Sequence, residues 1–306
     1  MHYLLEGLRT AWSNKRMLAL FYVVNLFFGV IVMIPFRSLL MSFAGQSLAG
    51  KSLAEHFDLE FLFEFMNNAH GVVPSMMSLF LVAGIAYWLT GLFLSGGAYG
   101  VYISGEHFTG QRFWKYAGQY FGRFCRLFVW SLPVFAIFYA LQFVESGIVR
   151  IIFGKDPYQY IAFWGNALRT ALGYIGILLY YLVLDYARIY IVRTGETKSR
   201  KALWHGLKFM ASHLASTFTL SVAIYLLGVV ALLIYYPLGI VLHVPNTLIA
   251  ILLLGVQQCY ILLRMFLRLS LYAGQTALHK HRFTTELPLG QAQGNTSGDL
   301  APAMGT

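Results

Sequence analysis

Residues 75–103 read SMMSLFLVAGIAYWLTGLFLSGGAYGVYI, an unbroken run of 29 residues without Asp, Glu, Lys or Arg. A helix needs about 20 apolar residues, rising about 1.5 Å each, to cross the hydrocarbon core of a bilayer. Only helices and closed barrels satisfy all their backbone hydrogen bonds in lipid, and this run is too long and too uniformly apolar for a barrel strand. The stretch therefore predicts a membrane-spanning helix.

Five further apolar runs lie on either side of this stretch, at residues 17–36, 127–144, 170–184, 216–236 and 244–263. The composition agrees, because 58% of the residues are hydrophobic and 11% are charged, whereas soluble domains carry about a quarter charged residues. We expect an all-α integral membrane domain over residues 1–282, with six transmembrane helices paired as three hairpins at about 17–103, 127–193 and 216–275. The polar residues 283–306 predict a disordered cytoplasmic tail.

The distribution of basic residues predicts the orientation. If the N-terminus is cytoplasmic, 17 of the 22 Lys and Arg residues fall in inner segments. Basic residues in short loops are retained on the cytoplasmic side, so the pattern predicts a multi-pass protein of the cytoplasmic (inner) membrane with both termini inside. The formal net charge of +10 is then a topology signal, and no nucleic acid partner is expected.

A short motif recurs after the second and fourth apolar runs. The only two Gly-Glu pairs of the chain, Gly105-Glu106 and Gly195-Glu196, are each followed nine residues after the glycine by Trp114 and Trp204. Each tryptophan lies in a basic, aromatic segment, and Trp12 lies in a third such segment near the N-terminus. We interpret the three tryptophans as interface anchors of in-plane amphipathic helices. Each such helix would precede one hairpin, giving three units related by an axis along the membrane normal.

These segments, together with the endings GGAYG at 96–100 and DYARIYIV at 185–192, resemble a group of bacterial six-helix membrane proteins of unknown function. That group is similar to the membrane domain attached to some glycerophosphodiester phosphodiesterases. The resemblance covers residues 1 to about 282. It implies a helical bundle in the plasma membrane but no mechanism, and the sequence contains no phosphodiesterase catalytic domain.

Polar residues cluster at the inner ends of the fourth and sixth runs. The candidate ion-pair or anion-binding site comprises Asp185, Arg188, Arg264, Arg268, Gln257 and Gln258. An ionisable side chain inside the membrane costs about 3 kcal/mol by insertion scales unless it is paired or reaches water. We therefore expect Asp185 to pair with Arg188 or Arg264. The second run ends with residues that permit close helix packing, namely Ser95, Gly96, Gly97 and Gly100.

Two interpretations of this cluster remain open. In the first, it is a structural ion-pair network whose arginines extend to the headgroups, and we favour this one because the arginines lie near the interface. In the second, the guanidinium groups line an inner-leaflet cavity and bind the phosphate or carboxylate of a lipid headgroup. A cavity lined by those arginines would distinguish the second from the first.

The sequence contains no phosphate-binding glycine loop, zinc-protease helix or nucleophile elbow. Four histidines, His205, His213, His279 and His281, are weak metal candidates, and we expect neither a metal nor a cofactor. The leading hypothesis is a non-enzymatic structural or accessory component that packs with membrane lipids or other membrane subunits. The alternative is a transporter or lipid-handling protein with an inner-leaflet site for anionic headgroups. An enzyme ranks third because no nucleophile–base pair is visible.

Overall fold

The computed structural model describes residues 2–44, 63, 72–154, 158–241 and 247–286, and the elements it forms over these residues are all helices. They are α1 (His2–Ser13), α2 (Lys15–Ala44), α3 (Val72–Ser104), α4 (Gly110–Ala140), α5 (Phe143–Phe153), α6 (Gln159–Thr194), α7 (Ser199–Ser212), α8 (Leu214–Val241) and α9 (Thr247–Glu286). Within these described ranges, six helical segments are long and apolar enough to cross a membrane: α2, α3, α4 with α5, α6, α8 and α9. The predicted class, a multi-pass helical membrane protein, is confirmed.

The helices extend beyond the apolar runs that predicted them. The run at 170–184 lies within α6, which spans Gln159–Thr194. The tail predicted to be disordered from residue 283 is helical as far as Glu286, and residues 287–306 lie outside the described part of the chain. The reason is packing, since His279 is buried and the guanidinium of Arg193 lies 4.2 Å from the ring centre of Phe283. An apolar run therefore indicates the part of a helix that can lie in lipid, but it does not indicate where the helix begins and ends.

The segment at 111–124, expected to be a separate in-plane helix, is instead continuous with the third span as α4. By contrast, a single residue interrupts the helix at Asn14, between α1 and α2, and at His213, between α7 and α8. The cause is a buried stripe with alternating spacings of four and three that crosses the expected boundary without a break. Its members are Phe113, Ala117, Tyr120, Phe124 and Leu127.

Three helices, α3, α6 and α9, contact one another at the centre of the bundle. Each of the other long helices contacts two of these three: α2 contacts α3 and α9, α4 contacts α3 and α6, and α8 contacts α6 and α9. Other contacts place α1 against α9, and both α5 and α7 against α6. In addition, α4 packs extensively along α3 and also contacts α7. The central helices therefore meet along a common axis.

The hydrophobic core is confined to one end of this bundle, which we name the basic end and define by α1, α7 and the first half of α4. In α2 the core includes Met17 and Phe21, and in α9 it begins at Met265. Toward the other, distal end, α9 has no buried residue among those described before Met265. There the contacts lie mostly between neighbouring helices, as in the stacking of Tyr235 on Tyr260 at 4.8 Å. The distal half of α9 is therefore not enclosed by the bundle, whereas α5 and α6 still pack together at this end, with Glu145 of α5 buried.

Candidate functional site

Asp185 of α6 lies where the three central helices meet, and it is only 6% exposed. Its Oδ1 accepts a hydrogen bond from Nη1 of Arg188 at 3.1 Å, and its Oδ2 accepts one from Nε2 of Gln275 at 3.3 Å. The hydroxyl of Tyr99 on α3 also approaches the carboxylate, without the geometry of a regular hydrogen bond. One carboxylate thus connects α3, α6 and α9.

Of the two partners predicted for Asp185, the structure brings Arg188 to it and leaves Arg264 apart. Arg188 lies one turn away on the same helix, its side chain is 12% exposed, and its guanidinium lies 5.8 Å from the ring centre of Phe124. Gln275 was not among the residues predicted for the site. Its signal in the sequence is its position seven residues after Arg268, which places both on one face of α9.

Four polar residues form a stripe along α9. At about 100° per residue, Gln257, Arg264, Arg268 and Gln275 lie within about 40° of one another. Gln275 reaches Asp185, so this stripe faces the bundle axis. The side chains of Gln257, Arg264 and Arg268 are nevertheless exposed. Residues that face the axis of a bundle and remain exposed line an open space, which we name the central crevice.

Tyrosines from two other helices line the same crevice. On α6, Tyr174 and Tyr181 lie eleven and four residues before Asp185, on the same face, and they are 71% and 50% exposed. On α8, Tyr225 is 46% exposed and lies within electrostatic interaction distance of Asp185 and Arg268. The walls of the crevice therefore carry aromatic rings with polar tips.

Arg268 is exposed to the crevice although side chains of several helices surround it. Its Nε donates a hydrogen bond to the hydroxyl of Tyr272 at 3.0 Å. Its Nη2 lies 3.8 Å from the position that a Cβ would occupy at Gly91. Together with Asn25 and Tyr87 it also lines a cavity of about 10 Å³, room for about one water molecule. Among the described residues, no carboxylate forms an ion pair with Arg268.

Arg268 lies deep relative to the charged start of α2. The cavity that it lines includes Val24 and Asn25, which follow Lys15 by nine and ten residues, or about 14 Å along the helix. Gln258, ten residues before Arg268 on α9, accepts a hydrogen bond at its Oε1 from the hydroxyl of Tyr22 at 2.8 Å. Because the apolar run of α2 covers residues 17–36, the guanidinium lies near the middle of that run. This depth weakens the interpretation in which Arg268 extends to the headgroups.

The glycine-rich end of α3 lies against α4. A Cβ at Gly97 would lie 2.6 Å from the ring of Phe113, and one at Gly100 would lie 2.5 Å from Tyr116. Missing side chains therefore allow α3 and α4 to pack closely. The four residues predicted for close packing, Ser95, Gly96, Gly97 and Gly100, are all buried.

The tryptophans predicted as interface anchors lie on α1, α4 and α7, at the basic end. Trp12, Trp114 and Trp204 are all exposed, and Nζ of Lys15 lies 4.7 Å from the ring centre of Trp12. Trp114 also stacks on Phe93 with ring centres 5.8 Å apart. Aromatic rings with nearby basic groups are typical of side chains at the headgroup boundary.

The histidines of the basic end are part of an aromatic cluster. His279 is buried, with Nδ1 3.5 Å from Nη1 of Arg193, and its ring lies 4.7 Å from that of Phe209. His205 stacks on Tyr190 at 4.0 Å. Within the described part of the chain, no group of three His, Cys, Asp or Glu residues could hold a metal ion.

No family model matches the chain, and neither does any curated protein or solved structure. The resemblance drawn from the sequence gains no support from these comparisons. The function is therefore inferred from the residues of the chain itself.

Proposed function

We propose that this chain is a non-enzymatic, lipid-handling membrane protein that holds an amphipathic molecule in its central crevice. The observation that carries the proposal is that Gln257, Arg264 and Arg268 face the bundle axis and are exposed. The stretch of α9 between Gln257 and Arg268 is about 16 Å long, enough for a headgroup and part of a chain. The crevice opens toward the distal end, because the core is confined to the basic end.

The lining of the crevice suits a ligand with a polar and an apolar part. Binding sites are mostly apolar and aromatic with a few convergent polar groups, and here the polar groups are two arginines and a glutamine among tyrosines. Each arginine near the middle of a membrane costs about 3 kcal/mol by insertion scales, so such residues are typical of functional sites. The exposed distal half of α9 leaves room for acyl chains to enter from the bilayer.

The leading sequence hypothesis, an accessory component that packs with other membrane subunits, is supported by a different observation. Large apolar side chains near the distal end are strongly exposed, including Ile151 at 85%. Such surfaces face lipid or the helices of another chain. This function would need no ligand in the crevice.

We further propose the cytoplasmic membrane as the location, with the basic end on the cytoplasmic side. Support comes from the 17 of 22 basic residues that this orientation places inside. Labelling with an impermeant thiol reagent tests it in a variant without Cys125 and Cys259. Because Ser199 is buried, the exposed Lys198 and Tyr158 are the sites for single cysteines. Labelling from outside at Tyr158→Cys alone is expected, and labelling at Lys198→Cys alone would reverse the orientation.

Native mass spectrometry of the protein purified in mild detergent tests the lipid-handling function. We expect retained lipid in the wild type and loss of most of it in Gln257→Trp, whose indole would fill the crevice. Cys259→Trp is the matched control, because Cys259 is exposed about 180° from Arg268 on the same helix. Equal lipid retention in both variants, or none in the wild type, would contradict the proposal. A second chain bound in stoichiometric amount to lipid-free protein would favour the accessory function.

A further inference from the structure

We infer that the crevice binds its ligand through a phosphomonoester-type group held by Arg268 together with Arg264. This inference rests on the proposed function, because it assigns the chemistry of the ligand's polar end. It also selects one class of anion among those that a guanidinium can bind.

The balance of charge around the axis is the first step. Asp185 and Arg188 neutralise each other at 3.1 Å, and Gln275 hydrogen-bonds the second carboxylate oxygen. Arg264 and Arg268 are then left without a carboxylate partner among the described residues. Two positive charges therefore remain in a crevice at membrane depth. An anion placed between them would offset the cost of holding these charges away from bulk water.

The guanidinium of Arg268 is held in a fixed position for such an anion. Its Nε is engaged by Tyr272, whose ring is buried and packs on Tyr99 with ring centres 4.7 Å apart. Its Nη2 lies close to Gly91 of α3, 3.8 Å from the position that a Cβ would occupy there, which is an ordinary van der Waals distance. Neither Nη atom forms a hydrogen bond with a described residue, because the hydrogen bond of Arg268 uses Nε. Planar N–H pairs of this kind bind two oxygens of a phosphate at once.

Two further donors lie nearby. Arg264 precedes Arg268 by one turn, about 6 Å along α9 and about 40° around it. The amide of Asn25 lines the same cavity as Arg268. Its Oδ1 accepts a hydrogen bond from the hydroxyl of Tyr87 at 3.1 Å, so the amide nitrogen is the donor that Asn25 retains. The site thus offers donors and positive charge, and the nearby carboxylate of Asp185 is already hydrogen-bonded by Arg188 and Gln275.

The amount of charge favours a monoester over a diester or a carboxylate. A phosphomonoester carries about −1.5 to −2 charges near pH 7, which matches two guanidinium groups, whereas a phosphodiester or a carboxylate carries one. The same group occurs in two sources, a lipid such as phosphatidic acid and free inorganic phosphate. The open, partly apolar crevice accepts both, so the experiment has to separate them.

The test uses delipidated full-length protein in detergent, with phosphatidic acid, phosphatidylglycerol, phosphatidylcholine and oleate added at equal concentration and counted by native mass spectrometry. We expect the wild type to retain phosphatidic acid over each of the other three. Arg268→Gln should lower phosphatidic acid binding about tenfold or more, the usual loss for a charged hydrogen bond, and leave phosphatidylcholine unchanged. Arg9→Gln, at an exposed arginine of α1, is the control for overall charge.

Inorganic phosphate is the second arm of the test. Displacement of phosphatidic acid by millimolar phosphate, with a raised melting temperature for phosphate alone, would identify the free anion as a ligand of the same site. No displacement would identify the lipid form as the ligand. Arg268→Lys keeps the charge but loses the planar fork, so we expect intermediate binding, and this variant provides a second reading if Arg268→Gln does not fold.

The outcomes separate this inference from the function on which it rests. If the wild type retains lipid without preference for phosphatidic acid, or if both Arg268 variants retain phosphatidic acid like the wild type, the phosphate site is wrong while lipid handling stands. If the wild type retains no lipid at all and no phosphate, both proposals fail.

Discussion

The carboxylate of Asp185 shows what a single residue contributes at the centre of this bundle. Its two oxygens accept hydrogen bonds from Arg188 on its own helix and from Gln275 on α9. A buried charge is tolerated only when it is paired and its hydrogen bonds are made. Since Tyr99 of α3 lies beside it as well, any change at this position acts on three helices together.

Asp185→Asn is expected to lower the free energy of unfolding by about 3 kcal/mol, because it leaves the largely buried Arg188 without a counter-charge. Arg264→Leu is the comparison, since Arg264 is exposed and has no ion pair among the described residues. We expect it to cost less than Asp185→Asn, because removing Arg264 leaves no buried charge without its partner. Thermal unfolding in detergent measures both. Equal melting of Asp185→Asn and the wild type would show that the pair does not hold the helices together.

The two residues of the recurring Gly-Glu motif each have a structural role. Gly105 and Gly195 have φ angles of +69° and +68°, a region that favours glycine, and each stands directly after the end of a helix. Glu196 then accepts hydrogen bonds from the backbone N–H of Lys198 and pairs with Lys201 at 3.0 Å, and Glu106 pairs similarly with Arg112. The interactions with Lys201 and Lys198 hold the pKa of Glu196 below its usual range. Their stabilisation is therefore present above the carboxylate's usual pKa and is lost as the pH falls through the lowered value.

At the scale of the elements, two of the short helices, α1 and α7, pack on long helices through glycines. A Cβ at Gly206 of α7 would lie 2.6 Å from the carbonyl oxygen of Val183 on α6, and one at Gly7 of α1 would lie 2.6 Å from that of Ser270 on α9. Both contacts are with backbone atoms, which cannot move aside as a flexible side chain can. The approach of α1 to α9, and that of α7 to α6, therefore each depend on one glycine.

Gly206→Ala is expected to push α7 away from α6 and to lower stability by about 1 to 3 kcal/mol, as overpacking does. Gly228→Ala on α8 is the matched control, because its Cβ would lie 3.8 Å from the nearest atom, a methyl group of Leu267. That is an ordinary van der Waals contact, so the control should melt like the wild type. The melting temperatures in detergent decide the matter, and equal values for the two variants would mean that α7 is loosely attached.

The elements differ in how much of them the sequence could predict. Lipid contact requires apolar residues, so all six spans were predicted as separate runs. The continuity of α4 was missed, because a buried stripe and an interfacial stripe have the same aromatic composition. The pairing of Asp185 with Gln275 was missed as well, since they lie 90 residues apart. Gln257, Arg264 and Arg268 were predicted from the sequence as candidate site residues. The direction in which their side chains face follows only from the packing of α9.

At the scale of the whole molecule, the helices are arranged in a way that supports the proposed threefold repeat. Each central helix is covered by one amphipathic segment: α3 by the first half of α4, α6 by α7, and α9 by α1. In the first two cases the segment follows its central helix directly in the chain. In the third, the segment α1 comes from the other end of the sequence. The contact of α1 with α9 therefore joins the first and last helices of the described chain. The rings of Tyr3 and His281, 5.8 Å apart, bring the two ends of the described chain together.

A circular permutation tests this closure. We expect a chain that begins at Ser199, runs through residue 306 and a short Gly/Ser linker into residue 2, and ends at Lys198, to fold and melt cooperatively near the wild-type temperature. The new ends fall between α6 and α7, which the proposed repeat makes equivalent to the natural gap between α9 and α1. Every pair of spans is kept, and each still enters the membrane from the basic end.

The control permutant begins at residue 244, between α8 and α9, with the same linker. It separates the helices joined by the stacking of Tyr235 on Tyr260, and its first span would have to start at the distal end, against the distribution of basic residues. We expect it to be poorly inserted or aggregated in detergent. If this control folds and the permutant that begins at Ser199 does not, α1 and α9 are not equivalent to the other two pairs, and the threefold interpretation is wrong.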